Sequence, residues 1–152
     1  MSLHQKIQDD LTSALKAGDS FQVGVLRMLS ASLHNRSIEK KGKGQDAELT
    51  DDEVQEVLAR EVKKRKEAAE IYEKGGRPDL GSKEKQEFIL IKAYLPEEMG
   101  SEEIEKVVEG VLAQMGSVTQ KEFGKVMGEV MKQLKGRADA SIVSTILKKK
   151  LG

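Results

Sequence analysis

Apolar side chains recur at three- and four-residue steps along almost the whole of this chain, which is the spacing of α-helices that each bury one face. Leu3, Ile7, Leu11 and Leu15 step by four. Phe21, Val25, Leu29 and Leu33 repeat the step, and Val54, Leu58, Val62, Ala69 and Tyr72 follow at helical spacing. An all-α fold is the expectation. Composition agrees: aromatics make up only 3% of the 152 residues, and only Pro78 and Pro96 would force a helix to stop.

Start and stop signals divide these stripes into elements. Ser2 with Gln5, Thr50 with Glu53, and Thr119 with Glu122 have capping-box spacing, while Asp19, Ser101 and Asp139 are single N-cap candidates. Gly18, Gly116 and Gly136 are the expected helix stops. Lys40 to Asp46 reads as an exposed, flexible loop, and Gly75 to Asp79 as a turn. A fourth helix carries Glu87, Phe88, Ile91, Tyr94 and Leu95 and stops before Pro96.

The stretch from Pro96 to Gly100 is the expected boundary, between an N-terminal four-helix domain (1–97) and a small C-terminal three-helix bundle (98–152). The C-terminal stripes are Ile104, Val107, Val108, Val111, Leu112 and Met115, then Phe123, Val126, Met127, Val130, Met131 and Leu134, then Val143, Ile146, Leu147 and Leu151. Helices this short cannot hide such stripes alone and must pack on one another.

Catalytic chemistry is hard to find. His4 and His34 are each alone in their segments, without an i, i+4 histidine partner, and read as ordinary surface residues. No nucleophile elbow, phosphate loop or dinucleotide fingerprint occurs, and Gly42-Lys43-Gly44 is too short to cradle a phosphate. Asp51-Asp52-Glu53 and Glu102-Glu103 sit at helix starts, where the helix dipole accounts for them. No cysteine is present, which excludes disulfides and thiolate metal sites. No enzyme activity, metal or cofactor is expected. Without cysteine, a signal-peptide core or an apolar run of membrane-span length, the expectation is a cytoplasmic protein that makes no membrane contact.

The 26 basic and 26 acidic side chains cancel, so any pull on a polyanion must be local. Arg60, Lys63, Lys64, Arg65 and Lys66 wrap around the third helix among Glu56, Glu61, Glu67 and Glu70, and read as a solvated charged surface. The second concentration is one-sided. From Ser117 onward eight basic residues face three acidic ones, an excess of five. Lys121, Lys125 and Lys132 recur at steps of four and seven and share a helix face. Lys135 and Arg137 flank Gly136 just before a helix start, where backbone N–H groups favour an anion. An ordinary glycine stop with lysines on the helix dipole explains the same residues equally well.

The run from Phe123 to Asp139, with Tyr94 to Met99 and Val25 to Leu33, resembles the GatB/YqeY family, and specifically its free-standing YqeY-like branch, over essentially the whole chain. The resemblance implies that the C-terminal part is similar to the tail domain of the B subunit of tRNA-dependent amidotransferases. These carbon–nitrogen ligases convert glutamate or aspartate on tRNA to the amide, with glutamine as nitrogen donor. The tail holds the outer corner of tRNA and does no chemistry, and similar domains are attached to some aminoacyl-tRNA synthetases. The matching positions are Gly128, Val130, Met131, Lys132, Lys135, Gly136, Arg137 and Ala138, with Val130 and Met131 implied as packing residues. Lys132, Lys135, Gly136 and Arg137, with Lys125 on the same helix face as Lys132, form the expected RNA-binding set. Ala140 departs from the family's usual proline, and the amidotransferase's catalytic domain has no counterpart. The expected function is a non-catalytic tRNA-binding module. The alternative is a module that docks on an amidotransferase or an aminoacyl-tRNA synthetase.

Overall fold

The computed structural model describes residues 1–116, 118–134 and 137–151. Among these, the secondary structure is entirely helical: α1 (Leu3–Ala17), α2 (Ser20–Gly42), α3 (Asp51–Lys74), α4 (Pro78–Lys92), α5 (Ser101–Met115), a 3-10 turn (Gln120–Glu122), α6 (Phe123–Leu134) and α7 (Ala140–Leu151). The chain divides into two compact units, Met1–Leu95 and Pro96–Gly152.

In the N-terminal unit the stripes meet in one core. Ile7 of α1, Leu26, Leu29 and Leu33 of α2, Val54 and Leu58 of α3, and Ile91 of α4 are all but sealed from solvent. Two members of the expected stripes are exceptions: Leu15 near the end of α1 stays 49% exposed, and Phe21 in the first turn of α2 stays 37% exposed. Gly18 ends α1 in the left-handed region at φ +70°, where its N–H reaches back to the last turn. Asp19 caps α2 through Gln22 N–H at 3.1 Å. Ser2 caps α1, but Gln5 turns its amide to Asp9 and leaves that box half-formed. The first N–H of α1, that of Leu3, donates to Asp51 at the start of α3, 2.9 Å away.

Lys40 to Asp46 is not a free loop. Helix α2 continues to Gly42, and Lys40 is buried. Its Nζ donates to the Glu48 carbonyl and to Glu53 Oε1, both at 2.7 Å. Glu53 also closes a complete capping box with Thr50, so one carboxylate caps α3 and holds the end of α2. The Lys40 ammonium, then the Thr50 N–H, hold the Glu53 carboxyl below its ordinary range.

The turn at Gly75 to Asp79 is shorter than expected, because Pro78 occupies the first turn of α4 rather than the loop. A proline there gives up an N–H that would have no partner in the helix anyway. Helix α4 then packs back on α3 so closely that a Cβ on buried Gly81 would lie 3.3 Å from the Ala69 carbonyl oxygen. At the end of this unit the Tyr94 hydroxyl donates to Asp10 at 2.5 Å, and burial and that carboxylate push the phenol pKa up.

The C-terminal unit has its own core of Ile104, Val108 and Val111 from α5, Val126, Val130 and Leu134 from α6, and Val143 and Leu147 from α7. Two expected caps differ. Gly100, not Ser101, is the N-cap residue of α5, and Ser101 is already helical. Thr119 makes no side-chain cap, because the chain enters α6 through the 3-10 turn.

Replacing Lys40 with alanine removes both tethers, and about 2 kcal/mol of unfolding free energy in urea titrations is the expected loss. The pH dependence carries a sign. The depressed Glu53 pKa gives a contribution that is complete above the ordinary glutamate value of 4.5 and is lost as pH falls through the lower folded value. Lys40→Ala should therefore narrow its gap from the wild type below pH 4.5, read from urea midpoints across an acid series. Gly81→Val should cost about 1–3 kcal/mol in the same assay, because the backbone carbonyl of Ala69 cannot swing aside.

Candidate functional site

The basic surface of the C-terminal unit is built on α6, whose two sides differ sharply. Val126, Val130 and Leu134 are buried, and Phe123, Met127 and Met131 pack on the same core. Lys125 and Lys132 are exposed. Seven residues make nearly two helical turns, so these two lysines project on the same side about 10 Å apart along the axis. Lys121 in the preceding 3-10 turn is exposed as well. Gly128 lies on α6 between the two lysines, and a Cβ there would meet nothing within 4 Å, so the backbone is open to close approach.

Arg137 is placed differently from the lysines. It is half-buried, and its Nε donates to the Glu97 carbonyl at 3.3 Å. Its own carbonyl accepts from Met99 N–H at 2.9 Å. Arg137 thus ties the segment leading into α5 to the segment leading into α7. Lys135 and Gly136 lie outside the described residues.

The expected anion seat at the start of α7 is already filled from within the chain. Asp139 Oδ1 accepts from the Ser141 N–H and the Ser141 hydroxyl, both at 2.8 Å. The carboxylate of the N-cap residue therefore takes the place that a phosphate would need, and its charge opposes one.

In the other basic concentration Arg60, Lys63, Lys64 and Lys66 are exposed, as expected of a solvated surface, and Arg65 alone of the five is drawn into structure. Arg65 is not on a solvated face. Its side chain is 14% exposed, and its Nη1 donates to buried Glu61 at 2.5 Å. Nη2 approaches Met28 Sδ on α2, and Nε lies 3.6 Å from Glu87 on α4. Ser32 and Lys64 also donate to Glu61. The motif that could have revealed this hub is the Glu61–Arg65 spacing of four, but its burial depends on α2 and α4. Lys64 remains 68% exposed. A cleft of about 460 Å³ lies between α3 and α4, over Ala69, Phe88 and Ile89.

Among the described residues no group of three or more histidine, aspartate or glutamate side chains converges as a metal site would require. His34 is exposed, and the His4 ring lies 3.4 Å from the Gln8 amide. No described helix is long and apolar enough to cross a membrane.

Comparison with known proteins places these features in a family. A protein of Pyrenophora tritici-repentis named altered inheritance of mitochondria protein 41, mitochondrial, is 26% identical over 150 residues, covering 97% of this chain and 80% of its own. Its namesake in Vanderwaltozyma polyspora is also 26% identical, over 94% of this chain and 79% of its own. A shorter match, 39% identical over 57 residues, is to a glutamyl-tRNA(Gln) amidotransferase polypeptide of Methanocaldococcus jannaschii. It spans 35% of this chain and 9% of that polypeptide. The cytoplasmic expectation is overturned by the relatives that match most of this chain, which are named as mitochondrial. A chain without cysteine is free of any need for an oxidising compartment, but that property is shared by many reducing environments and selects none of them. The YqeY-like family model matches residues 4–151, and the chain belongs to that family.

Proposed function

We propose that this protein is a non-catalytic tRNA-binding module whose C-terminal unit contacts the phosphate backbone through α6. The observation that carries this reading is the pairing of exposed Lys125 and Lys132 on one side of a helix whose other side is anchored in the core. A rigid helix fixes where the two flexible lysine stems begin, and phosphate recognition by mobile point charges needs little more than that. The open backbone at Gly128 allows close approach between them. The local match to a glutamyl-tRNA(Gln) amidotransferase polypeptide supports an RNA ligand. Scarce aromatics argue against bases splayed out and stacked on rings, so recognition is by backbone and shape.

In this reading Lys125, Lys132 and Lys135 supply charge, and Gly136 lies between Lys135 and Arg137 at the approach to α7. Arg137 contributes mainly by holding the neighbouring segments in place through its two backbone contacts. Docking on an amidotransferase or aminoacyl-tRNA synthetase is the second reading, favoured by one observation: Ile142 of α7 is 46% exposed. Met127 and Met131 are poorer probes of it, because both pack against the unit's own core.

Binding of the purified protein to bulk tRNA at two salt concentrations tests the proposal. Affinity should fall steeply with salt, and Lys125→Glu/Lys132→Glu should weaken binding at least tenfold at low salt while leaving the unfolding midpoint close to wild type. Salt-independent binding, or full binding by the double variant, would overturn it. Retention of an amidotransferase or synthetase that is lost in Ile142→Asp, with no RNA affinity, would favour the second reading.

A further inference from the structure

The C-terminal unit is electrically divided. From Pro96 to Gly116 six acidic side chains accompany one basic one, whereas from Ser117 onward eight basic accompany three acidic. The unit as a whole is neutral, so the division would not register in any net-charge measure. Glu102, Glu105 and Glu109 recur at steps of three and four, which gathers them on one exposed stripe of α5, away from buried Ile104, Val108 and Val111.

One lysine of the basic half is held by that stripe. Lys150 Nζ in the last turn of α7 lies 2.6 Å from Glu109 Oε1 on α5. The contact lowers the Glu109 pKa and raises that of Lys150, with Glu105 adding a weaker attraction at longer range. Lys148 and Lys149, the neighbours of Lys150, are exposed.

A carboxylate and a phosphate diester present the same kind of acceptor to an ammonium group, so they compete for it. A polyanion reaching Lys150 would have to displace Glu109 and then lie near Glu105, where like charges repel. We propose that the acidic stripe of α5 acts as an internal competitor for the RNA backbone, withholding Lys150 from the basic face and setting one edge of the RNA footprint. This inference rests on the tRNA-binding reading. It makes Glu109 a positioning residue: it acts on RNA through Lys150, without touching it.

Because the pair is exposed and inexpensive to break, its removal should have a modest, measurable effect. Glu109→Gln should tighten tRNA binding about two- to fivefold at low salt. It should also steepen the log–log salt dependence by about 0.7–0.9, the increment for one additional phosphate contact. Lys150→Gln alone should leave both quantities near wild type, and the gain from Glu109→Gln should vanish in the Glu109→Gln/Lys150→Gln double variant. Binding by Glu109→Gln equal to that of the wild type overturns the inference and leaves the tRNA-binding reading standing. A gain that persists in the double variant also overturns it, because the effect would then be general repulsion and not release of Lys150. Failure of the wild type and every variant to bind tRNA overturns the functional reading itself, and this inference with it.

Discussion

Each helix of this protein carries one apolar stripe and a charged remainder, and no helix of 12 to 24 residues can shelter its stripe alone. Removing those stripes from water drives the assembly, and it does so twice. Ile7, Leu29, Leu58 and Ile91 close one core, and Val108, Val130 and Leu147 close another. The arrangement of charge follows from this. Once the apolar face of α6 is committed to its core, Lys125 and Lys132 are turned outward on a rigid support.

Acidic side chains do much of the connecting work between these helices. Asp51, Glu53 and Asp139 lie at or beside helix starts, where the dipole favours them. Two of them also reach across the fold: Asp51 to the first N–H of α1, and Glu53 to buried Lys40 at the end of α2. Glu61 and Arg65 form a similar tie among α2, α3 and α4. The neutral balance of the whole chain thus conceals very different local uses of charge. Some groups are held inside ion pairs, and others are displayed on α6. Acidic α5 and the basic remainder of the C-terminal unit adjoin one another through the Lys150–Glu109 contact.

The filled helix start at α7 changes what kind of RNA contact is physically reasonable. With Asp139 already on the Ser141 N–H, phosphate recognition through that dipole would require ejecting a well-placed cap. Recognition through lysines on α6 requires no such rearrangement. The amidotransferase match and the relatives named for mitochondrial inheritance concern proteins with further sequence beyond the matched part: the latter share nearly all of this chain, the former 57 residues of it.

Helix content, the stripes that become core, and the caps at Asp19 and Thr50 are legible in the sequence, because each depends on residues within a turn or two of one another. So is the exposed placement of Lys125 and Lys132, which follows from their offset against Val126 and Val130. The departures share one cause. Sequence pattern assigns Lys40 to a loop and Arg65 to a solvated face, and it leaves Gly81 unmarked, yet each is defined by a partner in another helix. Ser101 and Thr119 have the composition of caps, but backbone geometry at Gly100 and in the 3-10 turn decides which residue occupies the capping position. Local periodicity by itself determined the elements and their inward faces. Only tertiary structure decided which charges are buried, which carboxylate fills a helix start, and which lysine is held by α5, because those outcomes depend on distances between residues far apart in the chain.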